Sequence, residues 1–140
     1  MIAVAQAEAG LIEQALETAD EIESADHRLR VRVQIAAAGG DPSIFTEALE
    51  TFREIEEANL QAFMLESVAV AQAEVGLIEQ ALETATEIGF AVPKAKALAS
   101  IAAAGGSPKL FAEALKTVRD IEKPRDRATT LLVIAATLPE

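Results

Sequence analysis

The sequence contains no cysteine, tryptophan or tyrosine, and it has a single histidine, His27. Without thiols there can be no disulfide and no thiolate metal site, and the redox compartment stays open. His27 follows Asp26 but has no second His and no Cys at ligand spacing, so it reads as a helix-start residue and not as a metal ligand. Long apolar runs are missing too. The longest uncharged stretches, 97–108 and 128–139, have 12 residues each, short of the roughly 18 that a membrane-spanning helix needs. The N-terminus has no basic region ahead of its apolar stretch and carries Glu8 early, which argues against a secretory signal. A soluble, cytoplasmic protein without membrane contact is expected. Basic charge is scarce: 12 Lys and Arg stand against 23 Asp and Glu, for a net charge of −11. Phosphate contacts need clustered cations, so no nucleic acid partner is expected.

What is present is small and aliphatic. Apolar residues make up 51% of the chain, mostly Ala, Leu, Ile and Val with five Phe. That supply suffices for a core and suits helices packed closely together. Ala, Leu and Glu are strong helix formers and β-branched runs are short, so the expected class is all-α. Charge is uneven along the chain. Residues 1–70 carry 4 basic and 14 acidic side chains (4 − 14 = −10), and residues 71–140 carry 8 and 9 (8 − 9 = −1). Two such regions could attract one another between molecules; the plainer reading is a solvated acidic face.

The strongest signal is internal repetition. Residues 2–22, IAVAQAEAGLIEQALETADEI, return at 68–88 with 18 of 21 positions identical. Residues 35–56 return at 101–122 with 15 of 22 identical, again at an offset of 66. Half that offset leaves a weaker echo, with 9 of 21 positions shared between 2–22 and 35–55. Periods of this size belong to stacked supersecondary units. One domain over 1–140 is expected, with repeats near 1–25, 26–58, 59–91 and 92–123 and a terminal helix over 124–140.

Each repeat splits into two helices. In the second helix, Ile78, Ala81, Leu82, Ala85 and Ile88 lay an apolar stripe on one face, as do Phe45, Ala48, Leu49, Phe52 and Ile55, and Phe111, Ala114, Leu115, Val118 and Ile121. First helices contribute Leu65, Val68 and Ala69, then Leu98, Ile101 and Ala102, then Leu131, Ile134 and Ala135. Gly39-Gly40 and Gly105-Gly106 are placed to end first helices with a positive φ. Asp41 and Ser107 can cap the following helices, with Pro42 and Pro108 in the first turn. Gly10 and Gly76 break the other hairpins, Pro93 and Pro124 open first helices, and Gly89 closes a second one. The spacing predicts helices near 1–9, 11–23, 27–38, 42–56, 59–75, 77–88, 93–104, 108–121 and 124–137.

This pattern resembles the tetratricopeptide repeat family along essentially the whole chain. In residues 62–94, Leu65, Val68 and Ala69 fall where that family places its large, Leu and small residues. Gly76 matches its turn glycine, Ala81 its small residue, Ala85 and Ile88 its later packing positions, and Pro93 its terminal proline. The departures are a period of 33 instead of 34, missing signature aromatics, and two Gly-Gly-x-Pro turns. Other helical-hairpin arrays, such as HEAT-like ones, share the use of small residues at close crossings. The resemblance implies a right-handed α/α solenoid of about four 33-residue helix-turn-helix repeats plus a terminal helix. It also implies that first helices line a concave face. Eight of the twelve basic residues stand near the starts of first helices: Arg28, Arg30, Arg32, Lys94, Lys96, Lys123, Arg125 and Arg127. A ridge of these beside the groove could clamp acidic peptide side chains or a terminal carboxylate; the plainer reading is pairing with Glu on neighbouring helices. Arg30, Phe63 and Lys96 hold equivalent positions facing the groove, with Val33, Glu66 and Val70 beside them.

Two irregularities stand out. Arg32 aligns with Leu65, Leu98 and Leu131 at a position that should face inward, so its stem is expected to pack while its head reaches solvent or a carboxylate. Residues matching 60–67 would precede Met1, and the chain closes in IAATLPE where earlier repeats continue. Either a longer array or a second copy covering the ends is expected, and the latter gives a homo-oligomer. For chemistry there is little to assemble. The AAAGGDP and AAAGGSP segments lack the Lys-Ser/Thr ending of a phosphate loop. Glu13/Glu17 and Glu79/Glu83 share helix faces and are expected to face water. No catalytic residue, metal or cofactor is expected. The expected function is a non-enzymatic scaffold that binds a protein or peptide along its concave face, or else a self-assembling module.

Overall fold

The computed structural model describes residues 2–39, 42–105 and 107–137, and among them the chain forms nine α-helices and no strand. These are α1 (Ile2–Glu8), α2 (Ile12–Asp20), α3 (Ala25–Gly39), α4 (Pro42–Thr51), α5 (Ala58–Glu74), α6 (Ile78–Thr86), α7 (Ala91–Gly105), α8 (Pro108–Val118) and α9 (Pro124–Thr137). A 3-10 turn, Phe52–Glu54, extends α4. The all-α expectation holds. The chain divides into two compact units, Met1–Met64 and Leu65–Glu140, and the division falls within α5.

The loops show why the helices stop where they do. Gly10 and Gly76 have φ of 84° and 88°, a left-handed conformation that costs a side-chain-bearing residue about 1–2 kcal/mol. With that reversal, the Leu11 N–H reaches the Gln6 carbonyl at 2.8 Å and the Leu77 N–H reaches the Gln72 carbonyl at 2.9 Å, closing orphan carbonyls at both helix ends. The positive φ expected within the Gly-Gly pairs is not carried by their first members. Gly39 and Gly105 are the last residues of α3 and α7 and have no positive φ; Gly40, Asp41 and Gly106 lie outside the described residues. Gly39 instead serves close approach, because a Cβ there would sit 3.1 Å from Ile12 Cδ1.

Ser107 caps α8, its Oγ accepting from the Leu110 N–H at 3.4 Å, with Pro108 behind it. Helix α7 starts at Ala91, two residues before the expected Pro93, which a first turn accommodates because its N–H would be unpaired anyway. The second helices end before Ile22, Ile55, Ile88 and Ile121. Each of these isoleucines donates its N–H three residues back, to Ala19, Phe52, Ala85 and Val118, at 3.0–3.1 Å. The same bond thus recurs every 33 residues.

In the first unit α1 packs on α2 and α3, α2 on α3, and α3 on α4. In the second, α7 packs on α6, α8 and α9, and α8 on α9. Alanine at the contacts makes this possible. Ala3, Ala7, Ala15, Ala19, Ala36 and Ala48 are all buried in the first unit, and Ala81, Ala85, Ala95, Ala102 and Ala114 in the second. Small contacts allow helix axes to approach toward the short end of the usual range. Larger apolar side chains, Phe45, Leu29 and Ile35 in one unit and Ile101 and Ile134 in the other, fill the remaining space. Three positions depart from the expected stripes: Leu115, Leu131 and Ala135 are exposed. Nothing within the described residues covers α9 on that side, so only Thr130 and Ile134 are buried there.

Candidate functional site

The residue that breaks the apolar pattern organises the first unit. Arg32 lies on α3 where Leu65 and Leu98 are buried in their own repeats. Its Nη2 donates to Asp20 Oδ1 of α2 at 2.6 Å, and its Nη1 donates to the Thr51 hydroxyl of α4. The side chain is 22% exposed while that of Asp20 is 62% exposed. The stem packs and the head meets a carboxylate, as expected for an Arg at an inward position. Around it opens a cleft of about 500 Å³ lined by Leu16, Asp20, Arg32, Glu47, Glu50, Thr51 and Glu54. Its cation is already engaged, so the wall offers hydrogen-bond acceptors to solvent or to an N–H-bearing group.

Other members of the expected basic ridge have structural work within their own units. The Arg28 Nη1 donates to the Ile22 carbonyl at 2.9 Å, and its Nη2 pairs with Glu54. The Gln61 Nε2 donates to the Ile55 carbonyl, and the Arg127 Nη1 to the Ile121 carbonyl at 2.7 Å. Positions 28, 61 and 127 are equivalent in the 33-residue frame. At each, a long polar side chain in the first turn of one helix closes the carbonyl left open six residues back, at the end of the preceding one. Sequence reasoning missed this cap. The signal was a polar long side chain at every equivalent position, Arg28, Gln61, Lys94 and Arg127.

The six residues expected to face a groove fall three in each unit. In the first, Arg30 on α3 is exposed and, among the described residues, no ion pair engages it. Phe63 on α5 is 53% exposed, an unusual placement for a phenylalanine in a helix of small residues. Val33 is buried and contributes to the core. In the second unit Val70, Glu66 and Lys96 are half-buried. Glu66 and Lys96 are brought together: burial raises the Glu66 pKa above its ordinary value, and the Lys96 charge opposes that rise.

His27 is exposed in the first turn of α3. Its neighbour Asp26 accepts from the Ser24 hydroxyl, a bond that holds its carboxyl below the usual carboxylate range. Glu13, Glu17, Glu79 and Glu83 are all exposed. Among the described residues no group of three or more His, Cys, Asp or Glu is arranged to hold a metal ion. No described helix is long and apolar enough to cross a membrane. No family model matches the chain, and no curated protein or solved structure matches it at a significant level.

Proposed function

We propose that the chain is a non-enzymatic scaffold, a tetratricopeptide-like right-handed α/α solenoid whose first helices bind an extended protein segment along a concave face. The observation that carries this reading is the exposure of Phe63 in the middle of α5, at the repeat position that Arg30 and Lys96 occupy in α3 and α7. An exposed aromatic side chain can serve as the anchor of a binding hot spot. In a stacked array the three would stand in one row, with Glu66 and Val70 beside them. A ligand with an apolar anchor and flanking carboxylates fits that row, and hence an acidic peptide is the partner of choice.

The test is selection from a displayed library of acidic, aromatic-containing peptides, followed by fluorescence anisotropy on the best binder. The Arg30→Glu variant, changed at an exposed residue, should bind it at least tenfold more weakly with an unchanged melting curve, and Phe63→Ala should do the same. A selected peptide that binds the charge-reversed protein as tightly as the parent contradicts the reading.

A second reading, self-assembly, is favoured by one feature. Leu115 on α8 and Leu131, Leu132 and Val133 on α9 are all at least 40% exposed, a cluster that a second copy could cover. Light scattering that gives one monomeric mass at high and low concentration rules it out.

A further inference from the structure

Two nearly identical helix pairs in one chain raise a physical problem of pairing. Residues 68–88 repeat residues 2–22 at 18 of 21 positions, so α6 of one copy carries almost the surface with which α2 of another meets α3. Exchange of identical elements between copies is a low-cost route to swapped oligomers. The three differences are Ile2 against Val68, Ala9 against Val75 and Asp20 against Thr86. The first two replace one aliphatic side chain with another. The third changes charge, and Asp20 is the residue of α2 that binds Arg32, at 2.6 Å. Arg32 in turn stands alone among Leu65, Leu98 and Leu131 at its repeat position. Two departures from the repeat, on different helices, therefore meet in space.

We infer that the Arg32–Asp20 pair is a register key, through which α3 accepts α2 and rejects α6 of a second copy of this chain. With α2 in place, the guanidinium holds both the Asp20 carboxylate and the hydroxyl of Thr51, a side chain 1% exposed. With α6 in place, a short uncharged Thr86 stands where the carboxylate should be. The half-buried guanidinium then loses its charge-assisted bond. The reverse exchange sets Asp20 against Leu98, which is buried and offers nothing to a carboxylate. Specificity between near-identical surfaces comes from such penalties on the wrong partner. Because the Asp20 side chain is 62% exposed, the discrimination falls about fivefold to tenfold, between an exposed pair and a buried charged hydrogen bond.

The test refolds the full chain from urea at low and high protein concentration and reads the dimer share by size-exclusion chromatography with light scattering. Thr86→Asp alters an exposed residue and leaves the Arg32–Asp20 pair intact, yet gives α6 the missing carboxylate. It should raise the dimer share at high concentration about fivefold to tenfold. The Arg32→Leu/Asp20→Thr variant, which gives both units the same contact, should raise it likewise. Dimer shares equal to the parent's in both variants would overturn the register key. So would a rise in the double variant alone, since that traces to lost stability and not to lost discrimination.

Discussion

The helix pairs that open the two units share 18 of 21 residues, yet the same hydrogen bond sits in different surroundings in each. In the second unit Thr84 donates to Gln72 Oε1 at 2.7 Å, and the two residues are 3% and 2% exposed. In the first, Thr18 donates to Gln6 Oε1 at 2.8 Å, and both residues are half-buried. The fourth repeat buries Leu98, whereas the second holds Arg32 in a polar cleft at the equivalent position. Local sequence therefore sets the bond, and what packs around it sets its energetic weight. A buried polar pair is costly to break because one partner is left unsatisfied; an exposed one turns to water.

The comparison can be broken most sharply at the aromatic pair. Phe45 is fully buried and its equivalent Phe111 is half-buried. Phe45→Ala should cost about 3–5 kcal/mol, and Phe111→Ala about 1–2 kcal/mol, read by urea unfolding. Equal costs would mean that the two units pack alike. Next comes the threonine pair. Thr84→Val should cost about 1–3 kcal/mol by stranding the Gln72 oxygen, while Thr18→Val should cost less than about 1 kcal/mol. The smallest effect is at Glu66. Burial raises its folded pKa above the ordinary 4.5, so the folded state holds that proton more tightly than the unfolded one. Stability from this group is greatest below the ordinary pKa and is lost as pH rises through the raised value. Glu66→Gln should accordingly raise stability at pH 7, by no more than about 0.5 kcal/mol. That gain should vanish below the ordinary pKa, as followed by thermal melts from acid to neutral pH.

Much of the helical layout was legible in the residues. Gly10, Gly76, Ser107-Pro108 and Pro124 punctuate the chain because their backbone preferences are local, and the apolar stripes mark helix faces directly. What escaped depends on neighbours. The 3-10 turn at Phe52–Glu54 and the start of α7 ahead of Pro93 are boundary effects that no single residue fixes. Leu115 and Leu131 match the apolar pattern yet are exposed, since a stripe shows which face is apolar and not whether anything lies against it. The acidic cleft was legible only in part: Arg32 was visible as an exception, but its partners Asp20 and Thr51 come from other helices. The carbonyl caps of Arg28, Gln61 and Arg127 were open to reading, since all three stand six residues after an isoleucine in the same frame.

The most direct test of the scaffold reading is to titrate the isotopically labelled protein with its selected acidic peptide and follow the backbone amide shifts by NMR. Shifts concentrated on α3, α5 and α7, centred on Arg30, Phe63 and Lys96, are the expected result. Shifts confined to the second helices α2, α4, α6 and α8 would contradict it.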